Sequence, residues 1–116
     1  MTFFKKMTKP SLSDWIKLSA DGTIFETSRA TLIGRGGLLA KMFDPRHRDY
    51  SPPPRDSNGA YLIDCNPQIF SNVLDMLRIN ICSGITRENY YAVREAYHLF
   101  TGRSLELDCP YTLLPQ

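Results

Sequence analysis

The stretch Gly59-Ala-Tyr-Leu-Ile-Asp-Cys-Asn-Pro-Gln-Ile-Phe-Ser-Asn-Val-Leu-Asp-Met-Leu-Arg78 holds two periodicities and the switch between them. Tyr61 and Ile63 alternate with Leu62, which predicts a short strand. Asn66 supplies a helix N-cap, and Pro67 a first-turn residue whose φ is already set. Ile69, Phe70, Val73, Leu74 and Leu77 then recur at helical spacing, an apolar stripe wide enough to pack on the sheet that holds the strand. Arg78 falls in the last turn, where the helix dipole favours a cation.

Upstream, Trp15 to Ser19 alternates, Asp21-Gly22 is a favoured two-residue turn, and Thr23 to Thr27 returns with Phe25 inward, so a hairpin is predicted. Ser28 to Gly34 reads as a short helical turn. Arg35-Gly36-Gly37 breaks it as a flexible joint, an anion held at the following helix end being the weaker reading. Leu38, Leu39, Met42 and Phe43 form a second buried turn, stopped at Asp44-Pro45. From Asp44 to Asn58 the chain is polar and proline-rich, without periodicity, and reads as a stiff surface loop. Within it, Pro52-Pro53-Pro54-Arg55 has the form of a polyproline II ligand and Ser51-Pro52 that of a phosphorylation site, patterns common by chance.

Downstream, Ile79 to Ile85 is a connector with a turn or short strand at Ser83-Gly84. Thr86 caps a helix with Glu88 in its first turn, Tyr90, Val93, Tyr97 and Phe100 line one face, and Gly102 ends it. Leu105 and Leu107 are expected to form a terminal strand. Met1 to Ser13, with scattered lysines and no sustained period, reads as a mobile lead-in, and residues 109–116 as a tail.

In this order the blocks resemble a BTB/POZ domain: Ile16-x-Leu18, Gly22-Thr23-x-Phe25-x-Thr27, Thr31-Leu32, Leu38-Leu39-Ala40-x-Met42-Phe43, the organising stretch itself, then Glu95-Ala96-Tyr97. The nearest likeness is to the potassium-channel tetramerisation, or KCTD-like, branch, over about residues 15 to 100. The resemblance implies an α+β fold, a small three-stranded sheet packed with helices, occupying residues 14–108. It also implies an intracellular module, cytoplasmic with the nucleus as alternative, that binds itself as a tetramer or pentamer and, in many members, binds cullin-3 as a ubiquitin-ligase substrate adaptor. The alternatives are an oligomerising scaffold that binds no cullin and, remotely, a small enzyme.

In the family the residues after the strand, usually Asp-Arg-Asp-Pro, contribute charged contacts to a neighbouring copy. Here they are Asp64-Cys65-Asn66-Pro67, so the resemblance points to Asp64 and Asn66, with Arg29 and Arg78, as an oligomer interface in which part of the charge is lost or rebuilt. Phe43, Tyr50 and Tyr90 are candidate partner contacts. The family's usual Asn-Val-Gly-Gly is replaced by Ser19-Ala20-Asp21-Gly22.

The 116 residues suffice for one domain with a real core. Fourteen basic against twelve acidic residues leave +2, too little for a nucleic-acid footprint. No run is long enough to span a membrane, and Phe3-Phe4-Lys5-Lys6 is too short for a secretory signal. Cys65, Cys82 and Cys109, odd in number and widely spaced, are expected as separate thiols, and their spacing from His47 and His98 matches no zinc pattern. No phosphate-binding glycine motif or serine elbow occurs, and neither histidine has an evident nucleophile, so no enzyme, cofactor or metal site is expected.

Overall fold

A computed structural model describes residues 10–109. Asp21 and Gly22 both take positive φ, 50° and 89°, the geometry that lets a two-residue turn follow the right-handed twist of the strands it joins. The strands are β1 (Trp15–Ala20) and β2 (Thr23–Ser28), antiparallel, with Leu18 opposite Phe25 and Ile16 opposite Thr27. β3 (Tyr61–Ile63) lies on the other side of β1, parallel to it, with Leu18 beside Tyr61 and Ala20 beside Ile63. The sheet order is therefore β2-β1-β3, a mixed three-stranded sheet.

Ser28 ends β2 and caps α1 (Arg29–Ile33) by accepting the Thr31 amide. α2 (Gly37–Phe43) follows and stops at Asp44. α3 (Pro67–Ile79) starts as its sequence dictates: the Asn66 side chain accepts from the Gln68 and Ile69 amides, and Pro67 fills the first turn. Its end uses Asn80 in the left-handed region, φ 59°, with the amide returned to Asp75 and Met76. α4 (Tyr90–Thr101) ends at Gly102, φ 73°.

The inner sheet face, Ile16, Leu18, Ala20, Tyr61 and Ile63, meets the buried stripe of α3 and the Tyr90, Val93, Tyr97 and Phe100 face of α4. Three rings form a continuous edge-to-face run through this core. Phe25 and Phe70 stand 5.4 Å apart and Phe70 and Phe100 5.6 Å apart, so β2, α3 and α4 share one seam.

Three expectations are corrected, and the stiff loop gains an anchor. Thr86 does not start α4. It exchanges bonds with Asn89, whose Oδ1 accepts the Thr86 amide while Thr86 Oγ1 accepts the Asn89 amide, so the pair closes a turn ahead of the helix, which starts at Tyr90 without a side-chain cap. Residues 105–108 form a helix, α5 (Leu105–Asp108), because Ser104 Oγ caps it and only Leu105 is buried. The loop to Asn58 is partly ordered by the sheet: the Pro54 carbonyl accepts the Leu62 amide and Arg55 bridges to Tyr61, covering the free edge of β3. Finally, the end of the lead-in is engaged, since the Leu12 carbonyl accepts the Ala30 amide and the Asp14 carbonyl that of Arg29. Met1 to Lys9 lie outside the described residues, as do Pro110 to Gln116 of the tail.

Candidate interaction surface

Alternation along the strands divides the sheet into a core face and an outer face, and the outer face carries exposed apolar residues among Lys17, Glu26 and Ser28. Ser19, itself buried, lies between Ile24 and Leu62 in register, so the two exposed side chains flank it across the three strands. Ile24 is 48% exposed and Leu62 44%, and Trp15 at the start of β1 is more open still. Sequence reading missed this pair. The signal was present in Tyr61-Leu62-Ile63, three apolar residues in succession, a pattern that fits a strand apolar on both faces.

Asp64 leaves β3 two residues after Leu62. It is exposed and has neither a hydrogen-bond nor an ion-pair partner among the described residues. Asn66 is exposed, but its oxygen is spent on capping α3. A shallow depression of about 390 Å³ joins Asn66, Pro67 and Gln68 to Thr23, Phe25 and Ser71. Cys65, half-buried between the two polar residues, has its thiol pushed up by burial and by the Asp64 carboxylate.

The other predicted site residues fall elsewhere. Arg78 is exposed at the far end of α3, about 18 Å along the helix from Asn66, and one of its nitrogens donates to the Glu26 carbonyl at 2.9 Å. Arg29 is an internal strut: it is 8% exposed, Nη1 donates to the Phe43 carbonyl at 2.7 Å, and Nη2 reaches Asp14 at 3.4 Å. A cation placed at the first residue of a short helix gave no sign of this burial. Phe43 is 1% exposed and packs edge-on against Tyr61, 5.2 Å between centroids, so its side chain offers no surface. Tyr90 is likewise buried, its hydroxyl donating to Glu106. Of the three aromatic candidates only Tyr50 is exposed.

The Gly34-Arg35-Gly36-Gly37 joint is not loose. Arg35 donates from Nη1 to the Tyr97 hydroxyl at 2.7 Å and from Nη2 to the Met76 carbonyl at 2.8 Å and to Asn80. It thus closes the end of α3 onto α4. The neighbouring polar depression, about 340 Å³, is lined by Gly34, Arg35, Asn80, Arg103 and Asp108. Its cations are already engaged: Arg103 holds Asp108 through two nitrogens at 2.6 and 2.8 Å, and Tyr97 donates to the same carboxylate. These bonds, Arg103 first, hold the Asp108 carboxyl at about 2. His47 accepts the Asp49 amide through Nδ1 in the loop, and His98 is exposed on α4.

The expectation of separate thiols is also corrected. Cys82 and Cys109 are joined in a disulfide, 27 residues apart in sequence with Cα atoms 6.8 Å apart, leaving Cys65 free. The fold brings the connector after α3 against the end of α5, a juxtaposition that no local spacing encodes.

Exposed Ile24 and Leu62 with an unpaired carboxylate beside them give the sheet a surface suited to protein contact. The BTB/POZ domain profile matches residues 16–97, and the chain belongs to that family. It is similar to mouse BTB/POZ domain-containing protein KCTD9, 36% identical over 70 residues, which cover 59% of this chain and 20% of that protein. It is also similar to bovine KCTD5, 39% identical over 68 residues, 59% of this chain and 29% of that protein. Human KCTD17 is 35% identical over 65 residues, 55% and 20% respectively. The matched stretch is thus under a third of each relative's length. The domain is a protein-interaction and oligomerisation module of the KCTD-like branch. No helix among the described residues is long and apolar enough to cross a membrane.

Proposed function

We propose that this chain assembles with copies of itself, as a tetramer or pentamer, through a head-to-tail interface that sets Asp64 of one subunit against Arg78 of the next. The observation that carries this reading is Asp64, exposed and unpaired at the end of β3 beside the exposed Leu62 and Ile24. Asp64 and Arg78 sit at opposite ends of α3 and cannot meet within one chain. A repeated contact between unlike ends is what closes a ring. Asn66 borders the contact through its free amide nitrogen, while Arg29 supports it only by tying the start of α1 to the end of α2 and to Asp14 before β1.

The assembled ring acts as an intracellular adaptor, cytoplasmic or nuclear, that docks the N-terminal domain of cullin-3. Tyr50 and the loop around it supply the contact. The burial of Phe43 and Tyr90 favours a second reading, a scaffold that oligomerises without a cullin, because it leaves one exposed aromatic of the three. Titration of purified cullin-3 N-terminal domain against the protein separates them. Binding below about 10 μM, about −7 kcal/mol or tighter, supports the adaptor. No binding at tens of micromolar, with the oligomer intact, supports the scaffold.

A further inference from the structure

We propose that Cys82 and Cys109 form a redox-reversible latch. Oxidised, the pair fastens α5 to the connector after α3; reduced, it lets the end of α5 come away. The fold provides both halves of such a device. The Cα separation of 6.8 Å is within the span that a disulfide bridges, and the pair joins segments far apart in the chain. Helix α5 has only four residues, far too few to persist on its own hydrogen bonds. Its other anchors come from α4 and the turn before α5: Tyr90 to Glu106, and Tyr97 and Arg103 to Asp108. Toward the α3 end, the disulfide is reinforced by Arg35, which reaches Asp108 at 3.8 Å while its other nitrogen holds Met76 and Asn80.

The two sulfurs differ in access. Cys109 is 4% exposed, whereas Cys82 is half-buried in a turn closed by the Ile85 amide on the Cys82 carbonyl. A glutathione-type thiolate therefore attacks Cys82 Sγ. The sulfur–sulfur bond breaks, Cys109 leaves as a thiolate and takes up a proton, and a mixed disulfide remains on Cys82. A second glutathione thiolate attacks the glutathione sulfur of that mixed disulfide and frees Cys82. In sum, two external thiols become one external disulfide and the protein disulfide becomes two thiols; oxidised glutathione drives the reverse. Cys65 is a poor competitor. It precedes α3 while Cys82 follows it, and burial beside Asp64 keeps its thiol protonated.

Opening the latch uncovers Leu105, which is fully buried when α5 is docked, and loosens the hold of Asp108 on Arg35 and Arg103. The test equilibrates the 116-residue protein in buffers of varied reduced-to-oxidised glutathione ratio, then counts free thiols by alkylation and intact mass. Hydrogen exchange is followed in parallel. Free thiols should rise from one to three across the series. The amides of Asp108 and Cys109, which donate to Ser104 and Leu105, should exchange at least tenfold faster in the reduced protein while that of Leu18 in β1 is unchanged. Cys65→Ser should keep the transition, and Cys82→Ser should exchange fast at every ratio. One free thiol throughout means a fixed staple, and three throughout means that the pair does not bond. A thiol transition with no change in α5 exchange means that the bond latches nothing. Each of these overturns the proposal.

Discussion

Gly37 stands against the backbone of Thr101 so closely that a Cβ built on it would lie 2.3 Å from the Thr101 carbonyl carbon. This is where α2 begins and α4 ends. Gly37 has φ +69°, so a side chain there meets both a forbidden conformation and rigid backbone. Gly102, φ +73°, shares the first problem but not the second, since its nearest neighbour would be 4.0 Å away. Gly37→Ala should therefore cost about 3 to 5 kcal/mol, and Gly102→Ala about 1 kcal/mol. Equal urea midpoints for the two variants would refute this close approach of Gly37 to Thr101.

The aromatic seam gives a second expectation. Phe70 is fully buried between Phe25 and Phe100, and Leu74 follows it on the same stripe. Phe70→Ala should destabilise by about 3 to 5 kcal/mol and Leu74→Ala by about 2 to 5 kcal/mol. A thermal midpoint unchanged in either variant would mean that α3 faces the sheet differently.

Arg35 joins three chain segments through directional bonds, to Tyr97, Met76 and Asn80. Arg35→Ala should cost about 1.5 to 3 kcal/mol by removing the charged donor that ties Tyr97 to Met76, each of which keeps its other partner. Arg35→Lys should recover little of this, because one ammonium cannot reach both ends of the fork. Full recovery by lysine would show that charge alone matters at this position.

The Asp108 carboxyl sits at about 2, below its ordinary 3.8, chiefly through Arg103. A depressed acid stabilises the fold when ionised, so its contribution is complete above about pH 4 and disappears as pH falls toward 2. Asp108→Asn should be less stable than wild type at pH 7 and should converge with it near pH 2. Stability curves that stay parallel between pH 5 and pH 2 would contradict the Arg103 pairing.

The parts legible in the sequence are those written in local patterns. Asp21-Gly22 specified the hairpin, and Asn66-Pro67 with the Ile69 to Leu77 stripe specified α3 and its buried face. The parts that escaped depend on distant partners. Ser104-Leu105-Glu106-Leu107 alternates like a strand, but four residues carry little periodicity, and the Ser104 cap with the Tyr90 and Tyr97 hydroxyls decided for helix. Arg29 reads as a surface cation until Asp14 and the Phe43 carbonyl enclose it. Likewise, the proline loop shows its role only once Leu62 reaches back to the Pro54 carbonyl. The Asp64 and Asn66 placement came from family resemblance, whereas the Ile24 and Leu62 pair needed the strand register.

The claim that this domain works as a closed ring is tested most directly by its absolute mass in solution, measured by light scattering over a range of protein and salt concentrations. The mass should be four or five times the 13.3 kDa of one chain at low salt. It should fall in Asp64→Ala and Arg78→Ala, and fall for wild type toward 1 M salt, where the Debye length is about 3 Å. A mass of 13.3 kDa at every concentration, or a larger mass that neither substitution nor salt alters, would contradict it.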